Sequence, residues 1–178
     1  MLARQSSVPL LLCLLMAGFL AVLGLEAKRN RFTRRIYGIA LIVYFLVYAY
    51  ITLLMRQPAS ERRINLELFW TVRAAVQWKD GRLTLQSYRF FREMVLNILL
   101  YVPLGLLLGG LCGLGRKAWM YGIGLSLVTE CVQYIFRLGL MELDDVMHNT
   151  FGLAIGFVLF YVARETGRAL GITKKSCV

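Results

Sequence analysis

The chain has no C-x-x-C pair. Its four cysteines, Cys13, Cys112, Cys131 and Cys177, are scattered, and the first three lie in apolar runs, where cysteine acts as a small hydrophobe. Neither a disulfide nor a zinc site is expected from them, and Cys177, next to last, does not complete a prenylation box. Acidic residues are scarce: 10 Asp and Glu stand against 21 Lys and Arg, for a formal charge of +11. Such an excess suits nucleic acid or a membrane. With no basic, aromatic-interleaved soluble domain present, nucleic acid is set aside as a partner. There is no P-loop, no H-E-x-x-H and no Ser–His–Asp set, so no catalytic residue is assigned and no cofactor is expected. The lack of internal repeats argues against a transporter built from duplicated halves.

What the chain has in abundance is apolar sequence. Of 178 residues, 58% are hydrophobic, and the mean hydropathy of +0.62 exceeds that of an ordinary soluble domain. A membrane span needs about 20 mostly apolar residues. Five stretches qualify: Val8 to Leu25, Ile36 to Met55, Val95 to Leu114, Ala118 to Phe136 and Met147 to Ala163. The first follows Arg4 like a signal peptide but has no convincing cleavage site, and reads as an uncleaved anchor. The expected fold is an all-α membrane protein with five transmembrane helices and an interfacial amphipathic helix in the 56–94 loop. In that loop Leu66, Phe69, Val72, Ala75 and Val76 recur at helical spacing, Gly81 suits a C-terminal cap, and Trp70 and Trp78 suit an interfacial belt.

Basic residues set the expected orientation. The connection "EAKRNRFTRR" holds five in ten residues, Arg116 and Lys117 join the third and fourth spans, and Arg164, Arg168, Lys174 and Lys175 follow the fifth. Five spans put these on one side, which the positive-inside rule makes cytoplasmic, with the N-terminus outside. Eight basic residues in the 56–94 loop oppose this, but long loops count less in the rule. The organisation expected is an N-terminal two-helix hairpin (1–55), an extracytoplasmic loop (56–94), a three-helix core (95–163) and a basic cytoplasmic tail (164–178). Glycines 105, 109 and 113 on the third span, and 152 and 156 on the fifth, recur every four residues and should let helix backbones approach closely. Pro103 should kink the third span, since it cannot donate to the carbonyl of Leu99.

Polar residues gather where these spans begin and end. Ser126, Glu130, Gln133 and Arg137 recur at i, i+4, i+7 and i+11, on one face of the fourth span. Asn97 starts the third span, and Asp144, Asp145 and Asn149 start the fifth. Connectivity brings all of these to one membrane level. An ionisable group at mid-bilayer costs roughly 3 kcal/mol or more, so Glu130 should face the bundle interior, with Arg137 as its available partner. A structural Glu–Arg pair would explain the same residues. Either Asp144 or Asp145 would serve as a helix N-cap, though two adjacent acids exceed that need. His148 fits a local hydrogen bond better than a ligand role.

The ordered motifs resemble the VanZ-like family of small bacterial membrane proteins. The family pattern of an Asn ahead of F/Y-x-P-x-G, then E-x-x-Q, an Arg and D-x-x-x-N-T-x-G, falls here on Asn97, Tyr101, Pro103, Gly105, Glu130, Gln133, Arg137, Asp145, Asn149, Thr150 and Gly152. An earlier R-x-N-L motif falls on Arg63, Asn65 and Leu66. The chain departs from the pattern at Leu68, where the family carries Pro, and at His148, where it carries an aliphatic residue. The resemblance implies a multi-pass protein of the bacterial cytoplasmic membrane. It also implies a link to resistance to teicoplanin and related lipoglycopeptides. The reading it favours is an outward-facing polar pocket for a lipid-linked or antibiotic head group. Asn97, Glu130, Gln133, Arg137, Asp144, Asp145 and Asn149 would line it, with Arg63 and Asn65 nearby, among membrane lipids and with a homo-oligomer left open. The rival reading is an intramembrane enzyme on a lipid phosphate, with Asp144, Asp145, His148 and Glu130 around a divalent metal.

Overall fold

A computed structural model describes residues 31–76, 78–79, 82–83 and 85–170. The expected span Val8 to Leu25, the cap Gly81, and Lys174 and Lys175 lie outside the described residues, as does the side chain of Trp78. Helix α1 runs Arg31–Ala49 and widens into a π-helical turn, Tyr50–Leu54, closed by Met55 N–H donating to Tyr50 C=O at 3.0 Å. Strand β1 (Arg63–Asn65) and the short helix α2 (Trp70–Ala75) follow, then a two-stranded hairpin of β2 (Trp78–Lys79) and β3 (Arg82–Leu83). Helix α3 is Leu85–Cys112, α4 is Arg116–Ile135, β4 is Leu140–Glu142 and α5 is Leu143–Ala169.

Among the described residues, three helices are long and apolar enough to cross a membrane: Arg31–Leu54, Tyr88–Cys112 and Leu143–Ala169. Helix α4 has 20 residues, about 30 Å at 1.5 Å each, yet falls short on composition. The reason is the stripe of Ser126, Thr129, Glu130 and Gln133 that it buries. Burial is inverted relative to a water-soluble protein. Ile42, Leu46 and Leu54 are exposed, while Ser126, Glu130, Gln133, Asp144 and Asn149 are buried. Polar groups inside and apolar groups outside is the arrangement that suits hydrocarbon.

The core forms where α3 meets α5. A Cβ on Gly152 would strike the Ile98 carbonyl, one on Gly156 would lie 2.8 Å from Gly105 Cα, and one on Gly109 would lie 2.8 Å from the Phe160 ring. Contacts at 98/152, 105/156 and 109/160 show that the two helices run parallel. Gly122 admits Leu153, joining α4 to the same unit. Helix α1 buries Thr33, Tyr37, Ala40, Tyr44 and Tyr48 on one face. Gly110 accommodates the Tyr37 ring, and Tyr44 donates to the Leu100 carbonyl, so α1 is antiparallel to α3.

Several expectations change. Gly113 is not part of the packing stripe. At φ +72° it ends α3, its N–H donating to Gly109 C=O at 3.0 Å, as a left-handed C-terminal glycine does. The loop helix is only six residues long. Leu66 and Phe69 precede it, Phe69 in the left-handed region, and Leu66, Phe69, Val72 and Val76 are exposed. Their apolar spacing therefore crosses several backbone conformations and does not describe one helix. Strands also occur: β1 pairs in parallel with β4, Arg63 opposite Leu140 and Asn65 opposite Glu142. Segments of three residues carry no readable period.

The glycine contacts generate a test. Gly152→Val places carbons against a backbone carbonyl that cannot rotate away, an overpacking cost of about 1–3 kcal/mol or more. Gly38, with nothing within 4 Å of an added Cβ, should accept Ala without loss. Thermal unfolding of the detergent-solubilised variants should show a clear drop for the first and none for the second.

Candidate functional site

At the end of the bundle where α1 finishes, a chain of hydroxyls ties three helices together. Tyr48 Oη lies 2.7 Å from Tyr101 Oη and 2.7 Å from Thr129 Oγ1, and Thr129 donates to Leu125 C=O at 2.9 Å. Each hydroxyl has one proton. With that of Thr129 given to Leu125, Tyr48 must donate to Thr129 and Tyr101 to Tyr48. Thr52 donates to the Tyr48 carbonyl at 2.8 Å, and the Thr52 carbonyl, one of those left open at the helix end, accepts Gln133 Nε2 at 3.1 Å.

Beside this chain the carboxylates assemble. Glu130, only 3% exposed, accepts the Glu142 backbone N–H at 3.0 Å. Asn97 Nδ2 donates to Asp145 Oδ1 at 2.7 Å, joining α3 to α5. Asn149 Nδ2 donates to Ser126 Oγ at 2.9 Å, joining α5 to α4. The positive charge of Arg56 acts on both Glu130 and Asp145, and its guanidinium fills the space beside Gly139. Glu142, at the mouth, receives Trp70 Nε1 at 3.1 Å. Burial pushes its carboxyl up to about 8. The negative charges of Asp145, Glu130 and Glu93 add to the rise, and the Trp70 hydrogen bond opposes it.

Asp144 does different work. It is fully buried, and its two oxygens accept the N–H groups of Phe69 at 2.7 Å and Thr71 at 2.9 Å. Phe69 is the N-cap of α2 and has no capping side chain of its own. A carboxylate from 73 residues further on therefore caps the loop helix. Trp70 packs edge-on against Phe90 at 5.1 Å, docking α2 on α3. The two adjacent acids thus divide their roles: Asp144 anchors the loop and Asp145 faces Asn97.

Ser126, Glu130, Gln133, Asn97, Asp145 and Asn149 come together as expected, all at one end of the helices. Arg137 does not join them. Helix α4 ends at Ile135, and Arg137 turns left-handed at φ +59°. It is exposed, reaching Ser60 C=O at 3.4 Å while its own carbonyl accepts Ala59 N–H at 2.7 Å. The i+11 extrapolation ran past the end of the helix, and no Glu130–Arg137 pair forms. Arg63 is exposed on β1, and Asn65 Oδ1 accepts Glu67 N–H at 3.0 Å, turning its own loop. His148 is buried beside Asp144, with no partner at Nδ1 among the described residues. No group of three His, Cys, Asp or Glu side chains able to hold a metal ion occurs among them. Sequence reasoning missed Arg56, Tyr48, Thr129 and Glu142. The signal for Arg56 was its position as the first charge after an apolar run. Two buried acceptors, Gln133 Oε1 and Asn149 Oδ1, lack a hydrogen-bond partner among the described residues.

The sequence profile of the VanZ/LLP1 family matches residues 36–164. The protein VanZ of Enterococcus faecium is 36% identical over 77 residues, which cover 42% of this chain and 48% of that protein. The match thus spans about half the length of that curated relative. No solved structure matches.

Two measurements follow from the geometry. Asp144→Ala strands two N–H donors, that of Thr71 buried and that of Phe69 half-buried, a cost of roughly 1–3 kcal/mol, and should speed hydrogen exchange at Phe69 and Thr71 while leaving α3 protected. A folded-state value raised from 4.5 to about 8 makes protonated Glu142 a source of stability. That stability is complete below about 4.5 and lost as pH rises through about 8. The unfolding temperature of the wild type should therefore fall between about pH 4.5 and pH 8, and Glu142→Gln should flatten that dependence.

Proposed function

Because the chain belongs to the VanZ/LLP1 family, we propose that it is a multi-pass protein of the bacterial cytoplasmic membrane. Its polar cleft receives the head group of a lipid-linked envelope component or of a lipoglycopeptide such as teicoplanin. The supporting observation is the convergence of Asn97, Glu130, Gln133, Asp145 and Asn149 from three helices, with two buried acceptors left unpaired. Unpaired acceptors suit a ligand rich in N–H and O–H donors, such as a sugar or peptide head group. Arg56, in the role first assigned to Arg137, meets an anionic phosphate or carboxylate. The metal-assisted alternative lacks support from a three-ligand set among the described residues.

In this reading residues 1–55 form the N-terminal unit, of which α1 and its π-helical turn are the described part. Helices α3, α4 and α5 form the core over 95–163, and 56–94 is the extracytoplasmic cover. Arg31, Arg34, Arg116, Lys117, Arg164 and Arg168 share the end opposite the cleft, which the positive-inside rule makes cytoplasmic. The N-terminus is then outside, the 164–178 tail inside, and the cleft faces outward. Altered presentation of a cell-wall precursor at this cleft would lower susceptibility to drugs that bind that precursor.

Cells expressing the chain should show reduced teicoplanin susceptibility. Glu130→Gln, Asn97→Ala and Asp145→Asn should abolish the protection at equal membrane levels. Loss of a charge-assisted hydrogen bond corresponds to about tenfold weaker retention of a lipid-linked precursor by the purified protein. Full protection by all three variants would reject the reading.

A further inference from the structure

A cavity lies at the end of the bundle opposite the polar cluster. It is an apolar groove of about 1140 Å³ with α1 on one side, α4 on the other and α3 as its floor. Its shape follows from the hydroxyl chain. Tyr48–Thr129 and Gln133–Thr52 tie α1 to α4 at the polar end, and the space between the two helices lies on the other side of those ties. Leu104 and Leu108 form the buried floor, and Phe45 and Leu125 the walls. Along α1 it extends from Arg31 to Phe45, roughly 21 Å at 1.5 Å per residue. Its volume exceeds the roughly 300–1,000 Å³ of ordinary small-molecule pockets.

We propose that this groove binds one anionic phospholipid, with an acyl chain along α3 and its phosphate between Arg31 and Arg34. The two arginines are the charged residues of the described lining, and no acid accompanies them. Spaced i and i+3, they are neighbours on one helix face, and guanidinium groups grip a phosphate in bidentate fashion. They stand at the end where the chain gathers its other cations, Arg116 and Lys117 among them, the level of an anionic leaflet surface. The chemistry differs from that of the polar cleft: apolar walls and bare cations here, paired carboxylates and amides there. The site does not depend on what the cleft binds.

Gly124 lines the groove, and an added Cβ there meets nothing within 4 Å. Gly124→Leu therefore extends a side chain into the groove from a Cβ that has room. Gly38, equally open but outside the lining, provides the control Gly38→Leu. The full chain is purified in neutral detergent, mixed with equal amounts of phosphatidylglycerol and phosphatidylcholine, passed through gel filtration and assayed for retained lipid. The expected result is about one phosphatidylglycerol per wild-type chain, retained by Gly38→Leu. Gly124→Leu should lose it, and the double change Arg31→Gln, Arg34→Gln should cut retention about tenfold. Equal retention of phosphatidylcholine, no retained lipid in the wild type (as when the chain's own N-terminal segment fills the groove), or full retention by Gly124→Leu would each overturn the proposal.

Discussion

The close approach of α3 and α5 governs everything at the polar end. In lipid the hydrophobic effect does not hold helices together, so contact depends on backbones coming near enough to interlock. Gly105, Gly152 and Gly156 permit this by offering no side chain where the facing backbone lies. Only at that separation does Asn97 reach Asp145 at 2.7 Å. With those two fixed, α4 can offer Ser126 to Asn149 and Glu130 to the Glu142 amide. The polar cluster is thus a result of the apolar packing.

The inverted burial also explains what a sequence reading could and could not find. Helical spacing of Ser126, Glu130 and Gln133 was legible because those three residues lie on an unbroken helix. Arg137 was misjudged because nothing in the spacing marks where α4 stops, and the left-handed turn there is taken without glycine. The glycine stripes were legible as packing surfaces, but Gly113 shares their spacing while acting as a terminator. The Asp144 carboxylate could not have been matched to α2 from local pattern, since its partners lie 73 and 75 residues away. Arg56 escaped notice because one cation after an apolar run resembles an interfacial anchor. The tyrosines of α1 were visible as aromatic content, yet their hydroxyls acquire meaning only once Thr129 and Tyr101 stand opposite.

The two ends of the bundle carry opposite chemistry. One end gathers carboxylates and amides, held by a hydroxyl chain with a defined sense of proton donation. The other gathers arginines and lysines around an apolar groove. The same ties that close the first leave the second open, so the length of a helix separates a cluster of carboxylates and amides from an apolar groove edged by arginines.

The cap that Asp144 supplies to α2 also carries a temporal meaning. Residues 69–71 leave the ribosome well before their partner does, and chains are made from the N-terminus onward. The loop must therefore wait, with Phe69 in a costly backbone conformation and its amides bound only to water, until the last helix has entered the bilayer. Parallel pairing of β1 with β4 obeys the same schedule. Capping of α2 thus reports that the start of α5 is in place.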